Sequence, residues 1–149
     1  MNQQKCILVA EDNPDDFVLL RRGFEKAPLT HKLVHVCNGK LAWDYLLGEP
    51  PFSDRNQHPF PDLLLLDPRM PALDGFDLLR LLQSHPELSA LPVVVLSSSL
   101  VESYAKTAKR LGAREYLVKP MDLDEYRDLA LGLHQRWLVD SIPGAPHKP

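Results

Sequence analysis

Three features predict an α/β fold built on a doubly wound parallel sheet. They are five short apolar runs, a helical pattern after each, and Asn, Asp, Gly or Pro at the junctions. The runs are Lys5–Glu11, Lys32–Cys37, Leu63–Asp67, Val93–Ser97 and Glu115–Lys119. Each is too short for a helix, and its apolar residues are continuous rather than alternating, as in a strand buried on both faces.

After the first run, "DNPDDFVLLRRGF" starts a helix. Asn13 is a good N-cap, Pro14 fits the first helical position, and Phe17, Leu20 and Phe24 share one face. The second helix follows Asn38-Gly39 and carries Leu41, Ala42, Tyr45 and Leu46; Trp43 packs on it. "GEPPFSDRNQHPFP", Gly48 to Pro61, has four prolines and reads as a loop, either a partner contact or a mere insertion. Asp74 is expected to cap the third helix, with Gly75 supplying turn geometry. Ser98 or Ser99 is expected to cap the fourth, which ends at Leu111-Gly112. The last runs from about Asp122 to about Val139 with Tyr126, Leu129, Ala130, Leu133 and Trp137 inward. Leu131 and Leu138 lie beyond that stripe, leaving a face for a partner. A domain over 1–140 and a flexible tail over 141–149 are expected.

Five alternations imply right-handed crossovers and helices on both faces of the sheet. Five strands favour the flavodoxin-like order 2-1-3-4-5, in which ligands bind beyond the carboxyl ends of the first and third strands.

A net charge of -3 and the lack of a helix-turn-helix pattern argue against DNA as a partner. No apolar run suits a signal peptide or a membrane span, so a cytoplasmic location is expected, with no membrane contact. Cys6 and Cys37 fall in apolar runs and read as reduced, buried thiols. No Cys/His spacing suggests zinc.

Parallel strands bring their carboxyl ends together, so Glu11-Asp12, Asp67, Ser97 and Lys119-Pro120 should converge on one crevice. Three clustered carboxylates repel one another and raise their own pKa values unless a cation compensates. Magnesium, a hard ion that prefers oxygen ligands, fits that need, and Lys119 can hold the remaining charge.

This constellation resembles the receiver domain of two-component response regulators over about Lys5 to Val139. The resemblance rests on Glu11-Asp12 after the first strand and on Asp67 after the third, with Met70-Pro71 and Asp74-Gly75 behind it. Ser97 and then Tyr116 with Lys119-Pro120 complete it. It implies that Asp67 is the phosphoryl acceptor. Asp12, Asp67 and the main-chain carbonyl of Arg69 would bind magnesium directly, and Glu11 mostly through water. The donor would be a phosphohistidine on a sensor histidine kinase. Lys119 and Ser97 would hold the acyl phosphate, with a cis Lys119–Pro120 peptide aiming the lysine inward. Ser97 and Tyr116 would act as the switch, and the end formed by the fourth helix, fifth strand and fifth helix would meet a downstream protein or a second copy.

The long loop, "ILVAEDNPDD" and "RWL" further resemble stand-alone regulators that partner phytochrome-type histidine kinases. Pro68 departs from the family pattern, because it removes an N–H beside the acceptor. Flavin binding is disfavoured because "EDNPDD" presents acid to an anion. Multiple-turnover phosphohydrolysis is disfavoured because Arg69, not a second Asp, stands two residues after Asp67. The rival reading is a non-phosphorylated interaction module on the same scaffold.

Overall fold

A computed structural model describes residues 4–139. Its strands are β1 (Cys6–Ala10), β2 (Lys32–Val36), β3 (Leu63–Leu66), β4 (Val93–Ser97) and β5 (Glu115–Val118). They alternate with helices α1 (Pro14–Lys26), α2 (Gly39–Leu47), α3 (Gly75–Gln83), α4 (Glu102–Arg110) and α5 (Leu123–Leu133). All pairings are parallel and the order is β2-β1-β3-β4-β5, as expected. The expected tail, 141–149, lies outside the described residues.

Because side chains alternate along a strand, the sheet feeds two cores. Leu8, Ala10, Leu64, Leu66, Val93 and Val95 pack against α2, α3 and Ala108 of α4. Ile7, Val9, Leu63, Leu65, Val94 and Leu96 pack against α1 and α5. A Cβ at Gly23 of α1 would lie 2.6 Å from the carbonyl oxygen of Tyr126 in α5, so glycine is what lets these two helices approach so closely.

Several expectations are corrected. The strands β1, β3 and β5 stop one residue short of Glu11, Asp67 and Lys119. Each of the three still donates its N–H to a neighbouring strand, Glu11 to Val36, Asp67 to Ala10 and Lys119 to Ser97. Their backbones are thus held at the rim of the sheet. Cys37 is exposed rather than buried, since it lies past the end of β2, while Cys6 is buried. The N-cap of α4 is Val101, with no side-chain cap; Ser99 instead accepts the Val101 N–H at 3.1 Å, two residues too early.

After α5 the chain widens into a π turn, His134–Leu138, that folds back on the sheet. Leu138 is fully buried there, and Arg136 and Trp137 both donate to the Glu115 carboxylate. Part of the apolar face expected for a partner is therefore consumed within the chain. The proline-bearing loop is packed by Arg55, which donates to the carbonyls of Tyr45, Leu46 and His58 and lies over the Tyr45 and Phe60 rings. It adds a donor to the Tyr45 carbonyl, which also accepts the Gly48 N–H, and to the Leu46 carbonyl at the end of α2.

Candidate functional site

At the carboxyl end of the sheet, Lys119 reaches inward from the end of β5. Its Nζ lies 2.8 Å from Glu11 Oε1, 2.8 Å from Asp16 Oδ2 and 3.0 Å from Asp67 Oδ2. An ammonium has three N–H donors, so its capacity matches three carboxylates. Glu11 and Asp67 are buried, 5% and 8% exposed, whereas Asp12 stands at the open mouth. One carboxylate oxygen from each of Glu11, Asp12 and Asp67 falls within 4.8 Å of the others.

The remaining oxygens are held by backbone. Asp67 Oδ1 accepts the Arg69 N–H at 2.9 Å, and Glu11 Oε2 accepts the Asn13 N–H at 3.1 Å. Asn13 caps α1 through the N–H groups of Asp15 and Asp16, with Pro14 at its start, as expected. Asp74 caps α3 through the Asp77 N–H. Gly75 has a different duty from turn geometry, because a Cβ there would lie 2.5 Å from the Asp67 carbonyl oxygen and 2.7 Å from Pro68 Cα. Its lack of a side chain lets α3 start directly beneath the Asp67 loop.

The electrostatics record excess negative charge. Burial, then the hydrogen bond with Asp67, pushes the Glu11 carboxyl up to about 8, although Lys119 pulls the other way. Burial alone would lower the Lys119 ammonium, but its hydrogen bonds to Asp16, Glu11 and Asp67 outweigh that and hold it above its ordinary value. A buried all-oxygen donor set, one carboxyl of which is raised by burial and by a neighbouring carboxylate, suits a hard divalent cation.

Ser97 and Tyr116, expected to act as the switch, lie on the other side of the crevice. Ser97 is buried and its hydroxyl accepts the Ser99 N–H at 3.0 Å; among the described residues its hydrogen bond does not go to the acids. Tyr116 is half-buried and its hydroxyl donates to the Ser99 carbonyl at 3.0 Å. Arg69 is exposed, and its guanidinium lies 6.0 Å from the centre of the Tyr104 ring on α4.

Two expectations differ here. Among the described residues the only cis peptide is Pro50–Pro51, so Lys119–Pro120 is trans. The flexible four-carbon stem of the lysine brings its ammonium to the acids without it. Asp16, which the sequence reading did not single out, is a third partner of Lys119. The available signal is its spacing four residues after Asp12, one helical turn into α1.

A family model described as the response regulator receiver domain matches residues 7–130. The structure of response regulator RPA3017, from red light signaling of R. palustris, is 33% identical with a TM-score of 0.85; 95% of this chain and 99% of that one are covered. The phosphorylated cyanobacterial phytochrome response regulator RcpA is 32% identical, with a TM-score of 0.82 over 91% and 95% of the two chains. Response regulator Rcp1 of Synechocystis is 29% identical over 145 residues, 97% of each chain. The structure of its Mn(2+)-bound form matches with a TM-score of 0.78 at 28% identity, covering 97% of this chain and 99% of that one.

Proposed function

Since the chain belongs to the response regulator receiver domain family, we propose that Asp67 accepts the phosphoryl group and that Glu11, Asp12, Lys119 and Ser97 serve that transfer. The observation that carries this is the Lys119 ammonium 3.0 Å from Asp67, with Glu11 and Asp12 gathered around the same carboxylate. A magnesium ion held by the side chains of Asp12 and Asp67 and the Arg69 main-chain carbonyl, with Glu11 acting through water, would supply charge neutralisation for the incoming phosphoryl group.

Asp67 attacks phosphorus in line. An oxygen–phosphorus bond forms, the phosphorus–nitrogen bond of a phosphohistidine breaks, and the imidazole leaves with the electron pair. Lys119 is already aimed at Asp67 Oδ2 and follows the charge onto the phosphoryl oxygens. The Ser97 hydroxyl exchanges its Ser99 contact for a phosphoryl oxygen. Because Tyr116 is bonded to the carbonyl of that same Ser99, the rearrangement reaches α4 and β5. Slow self-dephosphorylation returns the site to rest.

The donor is a sensor histidine kinase. Likeness to RcpA, which is a phytochrome response regulator, supports a phytochrome-type kinase. The output is binding to a downstream protein, or pairing of two copies through the α4, β5 and α5 end, in the cytoplasm and without DNA or membrane contact. The receiver spans 1–140. Among the described residues no helix is long and apolar enough to cross a membrane. The rival, a non-phosphorylated interaction module, rested on Pro68. The loop keeps a donor on the acceptor all the same, through the Arg69 N–H.

The test is to incubate wild type and Asp67→Asn with acetyl phosphate and magnesium and weigh the intact protein. One phosphoryl mass should appear on wild type alone. No adduct on either, with the cation present, would overturn the reading in favour of the inert module.

A further inference from the structure

Glu11 and Asp12 sit on a loop with no ladder partner beyond the Glu11 N–H, which donates to the Val36 carbonyl at 3.0 Å. What holds the next peptide, the one that carries the Asp12 side chain, is a residue no acid motif includes. His35 of β2 places Nε2 2.7 Å from the Glu11 carbonyl oxygen. A carbonyl only accepts, so Nε2 carries the proton and donates. The ring is in turn clamped flat on Phe17 of α1, with centroids 4.2 Å apart and planes 9° from parallel.

We propose that His35 is a positioning residue for the cation site: its Nε2–H fixes the Glu11–Asp12 peptide and so aims the Asp12 carboxylate at Glu11 and Asp67. The inference rests on the phosphoacceptor reading given above and adds to it a residue that touches neither cation nor phosphoryl group.

Four observations converge on this role. In the strand register His35 lies opposite Val9, two residues before Glu11, so its side chain can reach forward along β1 to the first peptide beyond the sheet. The Glu11 side chain and N–H are both engaged, by Lys119 and Asn13 and by Val36, which leaves its carbonyl as the joint about which the peptide can rotate. Asp12 is the exposed member of the acidic group and makes no side-chain hydrogen bond or ion pair among the described residues that would orient it otherwise. Phe17 is the fourth residue of α1, and stacking removes the ring's freedom to swing into solvent. The α1 helix, the edge strand and the acidic loop are thus linked through one imidazole.

The experiment separates ring from donor. His35→Phe keeps a ring for Phe17 and deletes the N–H, whereas His35→Gln deletes the ring and keeps an amide donor at similar reach. Magnesium alone is titrated into each protein by calorimetry, and the Asp12 amide nitrogen shift, which responds to hydrogen bonding at the preceding carbonyl, is read by NMR without metal. His35→Phe should bind magnesium about fivefold more weakly, the scale of one hydrogen bond, and should move the Asp12 signal. His35→Gln should restore most of both, and both variants should accept a phosphoryl group at saturating magnesium. Wild-type affinity and an unmoved Asp12 signal in His35→Phe would overturn the proposal, as would equal losses in the two variants. Failure of wild type itself to bind magnesium would instead overturn the phosphoacceptor reading beneath it.

Discussion

On the β1–β3 side of the crevice Glu11, Asp16, Asp67 and Lys119 hold one another by charge. On the β4–α4 side Ser97, Ser99 and Tyr116 are joined by neutral hydrogen bonds. Buried charges are strongly coupled, so adding about two negative units there shifts every member at once. Neutral bonds contribute only about 1 kcal/mol each, and they lead into a segment with little else to hold it. Leu100 is 81% exposed, Val101 is 50% exposed, and α4 starts without a side-chain cap. The first side is built to register charge and the second is cheap to rearrange. The two sides meet at the sheet rim, where the Lys119 N–H donates to the Ser97 carbonyl, and through Arg69, whose N–H donates to Asp67 while its guanidinium lies against the Tyr104 ring of α4.

Four changes would break or sharpen that contrast. Lys119→Met should have the largest effect, because it leaves three acids without their ammonium. A loss of up to about 3 kcal/mol in denaturant unfolding is expected, limited by proton uptake on Glu11 and largely recovered in magnesium. Phosphorylation by acetyl phosphate should persist in this variant while the pairing of copies proposed to follow phosphorylation is lost. An unchanged oligomeric response would break the coupling of charge to movement. Gly75→Ala comes next: a Cβ 2.5 Å from the Asp67 carbonyl must displace the Asp67 loop, at about 1 to 3 kcal/mol of overpacking, and the proposed phosphoryl adduct should form more slowly.

The charged side should also respond to pH in a way the neutral side does not. With metal chelated, the folded chain holds a proton on Glu11 up to about 8, whereas the unfolded chain releases it near 4.5. The folded state therefore binds more protons in that window. Stability falls as pH rises from about 4.5 to about 8, and excess magnesium flattens the slope. Magnesium affinity should rise over the same window, since the ion displaces that proton; a flat profile in both measurements would contradict the proton on Glu11.

The smallest effect concerns the neutral side. Val101 has the extended backbone of an N-cap, φ -68 and ψ 118, without the side chain for it. Val101→Asp should raise stability by about 1 kcal/mol and damp the phosphorylation-dependent change, as measured by unfolding midpoint and by oligomeric state. A capped α4 that responds as wild type does would show that the movement lies elsewhere.

Much of this was legible in the residues. Continuous apolar runs of strand length, each followed by a capped helical pattern, determine a parallel sheet by local physics, since period and turn chemistry are properties of short segments. The acids and Lys119 were legible because parallel strands put all their carboxyl ends on one side. The misses share a cause. Asp16, His35, Gly75 and Gly23 act through contacts with segments distant in the chain, or across a helix turn, and nothing in their neighbours' identities announces those contacts. Leu138 looked like surplus apolar surface until the π turn folded it inward.

The chain alone therefore determined the order of its elements and the gathering of charge, because both follow from periodicity and strand direction. Tertiary structure decided which oxygen meets which donor. Positions within a few tenths of an ångström depend on how α1 lies against β2 and how α3 starts beneath Asp67, and packing sets those distances collectively rather than any residue by itself.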